Sequence, residues 1–190
     1  MASRRRDLLV VDGYNVIFAT PRYADLIDER PHGGTRAPSR LGNDPFVRAR
    51  EALLADVAAY AQGTHEAVIV YDAAGNPAPE HPELRSAGVR MLFSATGQSA
   101  DELIEGLVTE ARAAGRAVTL VTSDGTIRAT VGFGPGEVTC VSSALLAHEV
   151  QAGEAELRQS QREAGRAHMT LADRLTPEQR ARLEELRAGR

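Results

Sequence analysis

Three short apolar runs that each lead into an aspartate constrain this chain more than any other feature. Asp7-Leu-Leu-Val-Val-Asp12 and Ala67-Val-Ile-Val-Tyr-Asp72 are nearly continuous in apolar residues, and Ala117-Val-Thr-Leu-Val121 runs straight into Thr122-Ser-Asp124. Runs of this length without polar alternation are what strands need when helices cover both faces of their sheet. Val89-Arg-Met-Leu-Phe93 and Val138-Thr-Cys-Val141 read as two further strands.

Helical segments separate these runs. Asp44 and Pro45 supply an N-cap and a first helical residue for a segment whose apolar stripe is Phe46, Leu53, Leu54, Val57 and Tyr60, ending at Gly63. Ser99-Ala-Asp-Glu102 has the form of a capping box and predicts a helix to about Ala114. A weaker helix is expected after Asp12-Gly-Tyr-Asn15, a short one after Gly125, and a longer one over 142–164. Thr176-Pro-Glu-Gln179 caps a last helix of mostly Arg, Glu and Leu. Residues 30–44 and 73–88 are rich in Gly and Pro and read as irregular loops. Strands alternating with helices imply parallel crossovers, hence an α/β fold with helices on both sides of a mostly parallel sheet.

At 190 residues the chain suits one such domain with a small appendage. The tail beyond about 165 has few large apolar residues outside Leu171, Leu175, Leu183 and Leu186, and both packing and detachment stay open for it. No apolar run approaches the roughly 20 residues that span a bilayer, and the basic start Met1-Ala-Ser-Arg-Arg-Arg6 lacks a secretory apolar core, so no membrane role and a cytoplasmic location are expected. Cys140 is the only cysteine, which excludes a disulfide framework or a cysteine-rich zinc site and predicts a buried, inert thiol. All 22 basic residues are arginine. The net charge of −4 is unevenly spread: +3 over residues 1–50, −8 over 51–150 and +1 over 151–190. The negative charge is concentrated in the middle of the chain; solvated helix faces account for much of it, and a carboxylate-lined metal site fits it too.

Asp12, Asp72 and Asp124 follow strands, and Asp101 occupies the first turn of a helix. In open parallel sheets the segments leaving the carboxyl ends of strands converge on a crevice near a switch in strand order. Carboxylates gathered there repel one another and lose hydration, a penalty that a divalent cation removes; oxygen donors suit Mg2+ or Mn2+. Glu105, four residues after Asp101, shares its helical face and is a further candidate ligand. Asn15, Thr122 and Ser123 are candidate supporting groups. Each acid also has a plainer role open to it: Asp after a strand forms turns, Asp101 favours a helix start, and Glu105 suits a solvated face. For phosphate contacts the candidates are Arg22, Arg36, Arg40, Arg48, Arg50 and Arg128, with Tyr14 and Phe133 as stacking rings.

Val11-Asp-Gly-Tyr-Asn-Val16, Ser99-Ala-Asp-Glu-Leu-Ile-Glu105 and Val121-Thr-Ser-Asp124, followed by Ser142-Ser-Ala-Leu-Leu-Ala-His-Glu-Val150, together resemble the YacP-like branch of the NYN family. The resemblance implies a PIN-like three-layer α/β/α nuclease domain over residues 7–150, with 151–190 as a helical extension. It also implies a metal-dependent endoribonuclease that cuts single-stranded mRNA, with RNA and the ribosome as partners. Asp12, Asp101 and Asp124 take the metal-binding and catalytic role by this likeness, supported by Asp72 or Glu105. Two positions depart from the branch: Gln98 stands where an acid is usual, and Arg128 where a glutamine is common. These departures bear on substrate positioning and metal stoichiometry, and they keep alive an inactive RNA- or ribosome-binding module of the same fold. A phosphotransferase fits less well, because Gly13 and Tyr14 follow Asp12 where a second acid is expected. A dinucleotide-binding domain lacks its Gly-x-Gly-x-x-Gly after the first strand.

Overall fold

The computed structural model describes residues 6–28, 45–73, 82–132 and 136–167, with Thr176, Glu178, Gln179 and Arg182 beyond them. Asp44, the loop arginines Arg36 and Arg40, and Phe133 lie outside the described residues.

Six strands form one sheet: β1 (Asp7–Asp12), β2 (His65–Tyr71), β3 (Glu83–Ser86), β4 (Val89–Phe93), β5 (Val118–Val121) and β6 (Val138–Val141), in the order β3-β4-β2-β1-β5-β6. All pairings are parallel except β3 with β4. The helices are α1 (Gly13–Ala19), α2 (Pro21–Asp28), α3 (Pro45–Ala61), α4 (Ala100–Ala113), α5 (Gly125–Gly132) and α6 (Ser143–Ala167). The fold is thus an α/β sandwich of the expected kind. The weak helix anticipated after Asp12 is two helices, split at the extended Thr20.

Alternation along the buried strands divides the core. Leu9 and Val11 of β1, with Ile69 and Tyr71 of β2, face a cluster completed by Val16 and Ile17 of α1, Tyr23 of α2, and Leu53 and Val57 of α3. Leu8 and Val10, with Val68, Val70 and Leu120, face Ile104 and Val108 of α4 and Ile127 and Val131 of α5. Both sides of β1 are therefore dry, which is why its sequence carries no polar alternation.

β3 falls inside a stretch whose sequence reads as loop. Glu83-Leu-Arg-Ser86 offers one apolar residue, and the strand is held to β4 as an antiparallel edge through a turn in which Ala87 (φ 50°) and Gly88 (φ 80°) adopt left-handed backbone. Across this pair Arg90 donates to Glu83 from Nε (3.1 Å) and Nη2 (3.2 Å), and Arg85 donates from Nε at 2.8 Å. Cys140 lies on the opposite edge strand and is half-buried rather than buried, because β6 has a neighbour on one side only.

The chain separates into two compact units, 1–150 and 151–190. In the second, Thr176 and Gln179 exchange the two bonds of a capping box, Thr176 N to Gln179 Oε1 at 2.9 Å and Gln179 N to Thr176 Oγ1 at 3.3 Å. Among the described residues no helix is long and apolar enough to cross a membrane.

Candidate functional site

The strand order makes the site. From β1 the chain steps to β2 on one side, runs out to the edge strand β3, turns back to β4 between them, and crosses through α4 to β5 on the other side of β1. Strands on either side of β1 therefore feed their connections away from a common crevice at their carboxyl ends, and Asp12 stands at its centre as the last residue of β1.

Asp12 has two roles in the local backbone. It is the N-cap of α1, where its Oδ1 accepts the Asn15 amide at 3.3 Å, and its Oδ2 accepts the Thr122 hydroxyl at 3.2 Å. Thr122 Oγ1 in turn accepts the Asp124 amide at 3.0 Å, so its single proton is committed to Asp12. Asn15 links the same two connections from the other direction, its Oδ1 accepting the Ser123 amide at 2.7 Å. Ser123 is braced by Ser143, with their hydroxyl oxygens 2.8 Å apart. The three residues expected as support are thus the ties that hold the Asp12 and Asp124 segments together.

The glycine after Asp12 is required by packing. A Cβ on Gly13 would lie 2.9 Å from Tyr71 Cζ and closer still to Cδ1 and Cε1 of that buried ring. Tyr71 itself is clamped between Tyr14 (5.1 Å between ring centroids) and Phe93 (5.5 Å).

Asp72 and Asp124 also sit at helix starts. Asp72 Oδ1 accepts the amide of Ala100, the first residue of α4, at 3.1 Å, and Asp124 Oδ1 accepts the Thr126 amide of α5 at 2.6 Å. Ser99 and Glu102 complete the capping box of α4 and leave Asp101 exposed in its first turn. The plain roles are real for Asp124, which closes a turn onto Thr126, and for Asp101, an acid in the first turn of its helix; Asp72 bonds the distant start of α4 instead.

The carboxylates sense one another there. Asp12 is only 7% exposed, and burial, offset in part by the Asn15 and Thr122 bonds, pushes its carboxyl up to about 6, with Asp101 and Asp124 adding to the rise. Asp101 is also pushed up, first by partial burial and then by Asp124, Asp72 and Glu105. The five acids named from the sequence thus belong to one electrostatic neighbourhood. Their donor chemistry, oxygen only and mutually destabilised, suits a hard divalent cation. Among the described residues, however, no three His, Cys, Asp or Glu side chains are gathered closely enough to hold one ion as they stand.

The arginine candidates divide. Arg22 is engaged within the fold: its Nε and Nη2 grip both oxygens of Asp56 at 2.7 and 3.0 Å, and Tyr23 adds its hydroxyl at 2.8 Å, which joins α2 to α3. Arg50 is 8% exposed and donates from Nη1 to the Tyr14 hydroxyl at 3.0 Å. Arg48 is exposed on α3 and reaches the Leu26 carbonyl at 3.0 Å. Arg128 is exposed on α5, its amide bonded to the Asp124 carbonyl at 3.3 Å, and is the candidate nearest in sequence to the acids. Tyr14 is half-buried in an aromatic group with Phe18, Phe46 and Tyr71. Phe18 was not legible as a surface ring from the sequence; the only hint was its position four residues after Tyr14 on the same helical face. A cavity of about 350 Å3 bounded by Gln62, His65 and Gly88 lies away from the acids and gathers none of them.

Comparison with known proteins bears on the family and the fold. Residues 9–188 match the YacP-like NYN domain. The crystal structure of Rae1 (YacP) from Bacillus subtilis is 25% identical, with 96% of this chain and 95% of that one covered and a TM-score of 0.62. A single-substitution mutant of the same protein gives 24% identity, coverage of 95% and 99%, and a TM-score of 0.63, a likeness of fold. No curated protein matches the chain in sequence.

Proposed function

The chain belongs to the YacP-like NYN family, and on that premise we propose that it is a metal-dependent endoribonuclease acting on single-stranded RNA. The observation that carries the reading is the tying together, at the switch in strand order, of the segments that bear the acids: Thr122 and Asn15 join the Asp12 and Asp124 segments, and Asp72 bonds the start of α4 beside Asp101. Family membership supports RNA-directed nuclease chemistry; metal dependence and the endonucleolytic mode are our inference from the acids.

Asp12, Asp101 and Asp124 would hold Mg2+ or Mn2+, with Asp72 and Glu105 in support. Once bound, the cation supplies Lewis-acid polarisation of a phosphoryl oxygen and a water of lowered pKa. The remaining work falls to the chain. Thr122 and Asn15 fix the Asp12 carboxylate by one bond to each oxygen, which holds this buried acid in one orientation. Asn15 and Ser143 hold the Ser123 segment, and Asp124 with it, against β1. Arg128, exposed one turn after Asp124, would meet a phosphate of the strand, and Arg48, exposed on α3, would add positive charge. Messenger RNA on or near ribosomes is the substrate setting that the family resemblance implies, and the cytoplasm is the matching location.

A second reading, an RNA- or ribosome-binding module without activity, draws on the spacing of the acids, since no three of those described converge on one ion site. Cleavage of a labelled single-stranded RNA decides between them. The nuclease reading predicts cutting with Mn2+ or Mg2+, arrest by chelator, and loss of cutting in Asp101→Asn with the fold intact. RNA binding with no metal-dependent cleavage, with or without ribosomes, transfers the case to the second reading.

A further inference from the structure

Among the described residues Phe18 is the one exposed large aromatic, with 62% of its surface open to solvent. It sits near the end of α1, the helix that Asp12 caps, while Val16 and Ile17 of the same helix are fully buried. Phe18 lies three residues after Asn15 and four after Tyr14, and so shares their helical face about one turn, roughly 5 Å, further along the axis. Asn15 is the residue bonded to both the Asp12 and the Ser123 segments; Phe18 lies one turn beyond it, six residues and so roughly 9 Å along the axis from Asp12. Its mounting is firm: the Phe18 centroid lies 6.0 Å from Phe46 in an edge-on contact and 6.2 Å from Tyr14, whose hydroxyl is held by Arg50. An aromatic side chain left in water yet fixed in place by two other rings loses little entropy when a flat partner covers it.

We propose that Phe18 is the stacking platform for one base of the RNA strand, flanking the phosphate that is cut, a reading that rests on the nuclease assignment above. The occupant is a nucleobase rather than a peptide side chain because α1 starts at Asp12: a strand that has a phosphate at the acids and runs along this helix brings a neighbouring base to the ring roughly 9 Å away. Stacking is tolerant of base identity, since every base has a π-face, so the contact positions the strand without reading its sequence. Phe18 is in this sense a substrate-binding residue.

The chain contains no tryptophan, so Phe18→Trp in the full-length protein introduces a single indole reporter at the site. Three measurements are combined: the emission of Phe18→Trp on titration with single-stranded RNA, the KM and kcat of wild type, Phe18→Ala and Phe18→Trp on that RNA, and the same kinetics on an RNA with an abasic nucleotide beside the cut. The expected results are quenching of the indole by RNA, and a KM raised about tenfold in Phe18→Ala with kcat little changed. Phe18→Trp should restore KM, and the alanine effect should vanish on the abasic RNA. Quenching by RNA in a protein that cuts nothing would uphold the stacking site while removing the nuclease reading. An unchanged KM in Phe18→Ala overturns the proposal, as does an indole whose emission responds to protein concentration, the mark of a contact between copies, and not to RNA.

Discussion

Replacing Asp12 with asparagine removes a charge that the folded chain holds at a cost. Burial pushes the Asp12 carboxyl from 3.8 to about 6, and at about 1.4 kcal/mol per pH unit that gap represents about 3 kcal/mol of stability lost at neutral pH. The sign follows from proton binding. Between pH 4 and 6 the folded state keeps the Asp12 proton that the unfolded state releases, so stability falls as pH rises through this window and is level above it. The substituted amide would keep an acceptor for the Asn15 N–H but weaken the charge-assisted bond from Thr122, which returns about 1 kcal/mol. The net expectation for Asp12→Asn in chelator at pH 7.5 is a gain of about 2 kcal/mol, or about 5 °C in Tm for a chain of this size. The gain should shrink to nothing near pH 4. With saturating Mg2+ or Mn2+ the order should reverse, because only the wild type gains binding free energy, about 2.7 kcal/mol at one hundred times Kd. Thermal and urea unfolding of the two proteins across pH 4–8, with and without metal, supply the test. An Asp12→Asn protein no more stable than wild type in chelator at any pH would refute the idea that this buried carboxylate is electrostatically strained.

Arg22→Ala should cost about 2 kcal/mol of stability in urea unfolding, because it strands the buried Asp56, and should leave the salt dependence of RNA binding as it was. Arg128→Ala should instead leave stability within about 0.5 kcal/mol and weaken RNA binding, with a salt slope lower by about one. Gly13→Ala, which drives a methyl group into the Tyr71 ring, should lose about 3 kcal/mol or fail to accumulate folded protein, as read by circular dichroism. Asp124→Asn should abolish RNA cleavage; because its Oδ1 bond to Thr126 can be kept by the amide oxygen, its Tm should stay within a few degrees of wild type.

The fold was legible where the physics is local or strongly one-sided. β1, β2 and β5 announce themselves because strands dry on both faces need continuous apolar runs, and α4 because a capping box writes its two partners three residues apart. β3 was not legible: a four-residue edge strand with one apolar side chain is stabilised by Arg85 and Arg90 around Glu83, partners that only the pairing with β4 brings together. The acids were legible as a set because three strand ends repeat the pattern. Their second occupations as helix caps were foreseen only in kind, since the Asp72 partner, Ala100, is distant in sequence. The arginines were the least legible. Nothing local distinguishes Arg22, locked to Asp56 on another helix, from Arg128, which stays on the surface. Phe18 shows the same limit from the other side: beside the buried Val16 and Ile17, nothing local marks it as the exposed ring of α1.

The claim on which the rest depends is that acids from β1, α4 and the β5 connection share one divalent cation. A crystal soaked in Mn2+ and measured for anomalous scattering tests it most directly. The expected result is a peak about 2.1 Å from carboxylate oxygens of Asp12, Asp101 and Asp124, with those side chains drawn together from their present spacing. A crystal of active protein with Mn2+ bound elsewhere, or with no peak among these three residues, would contradict it.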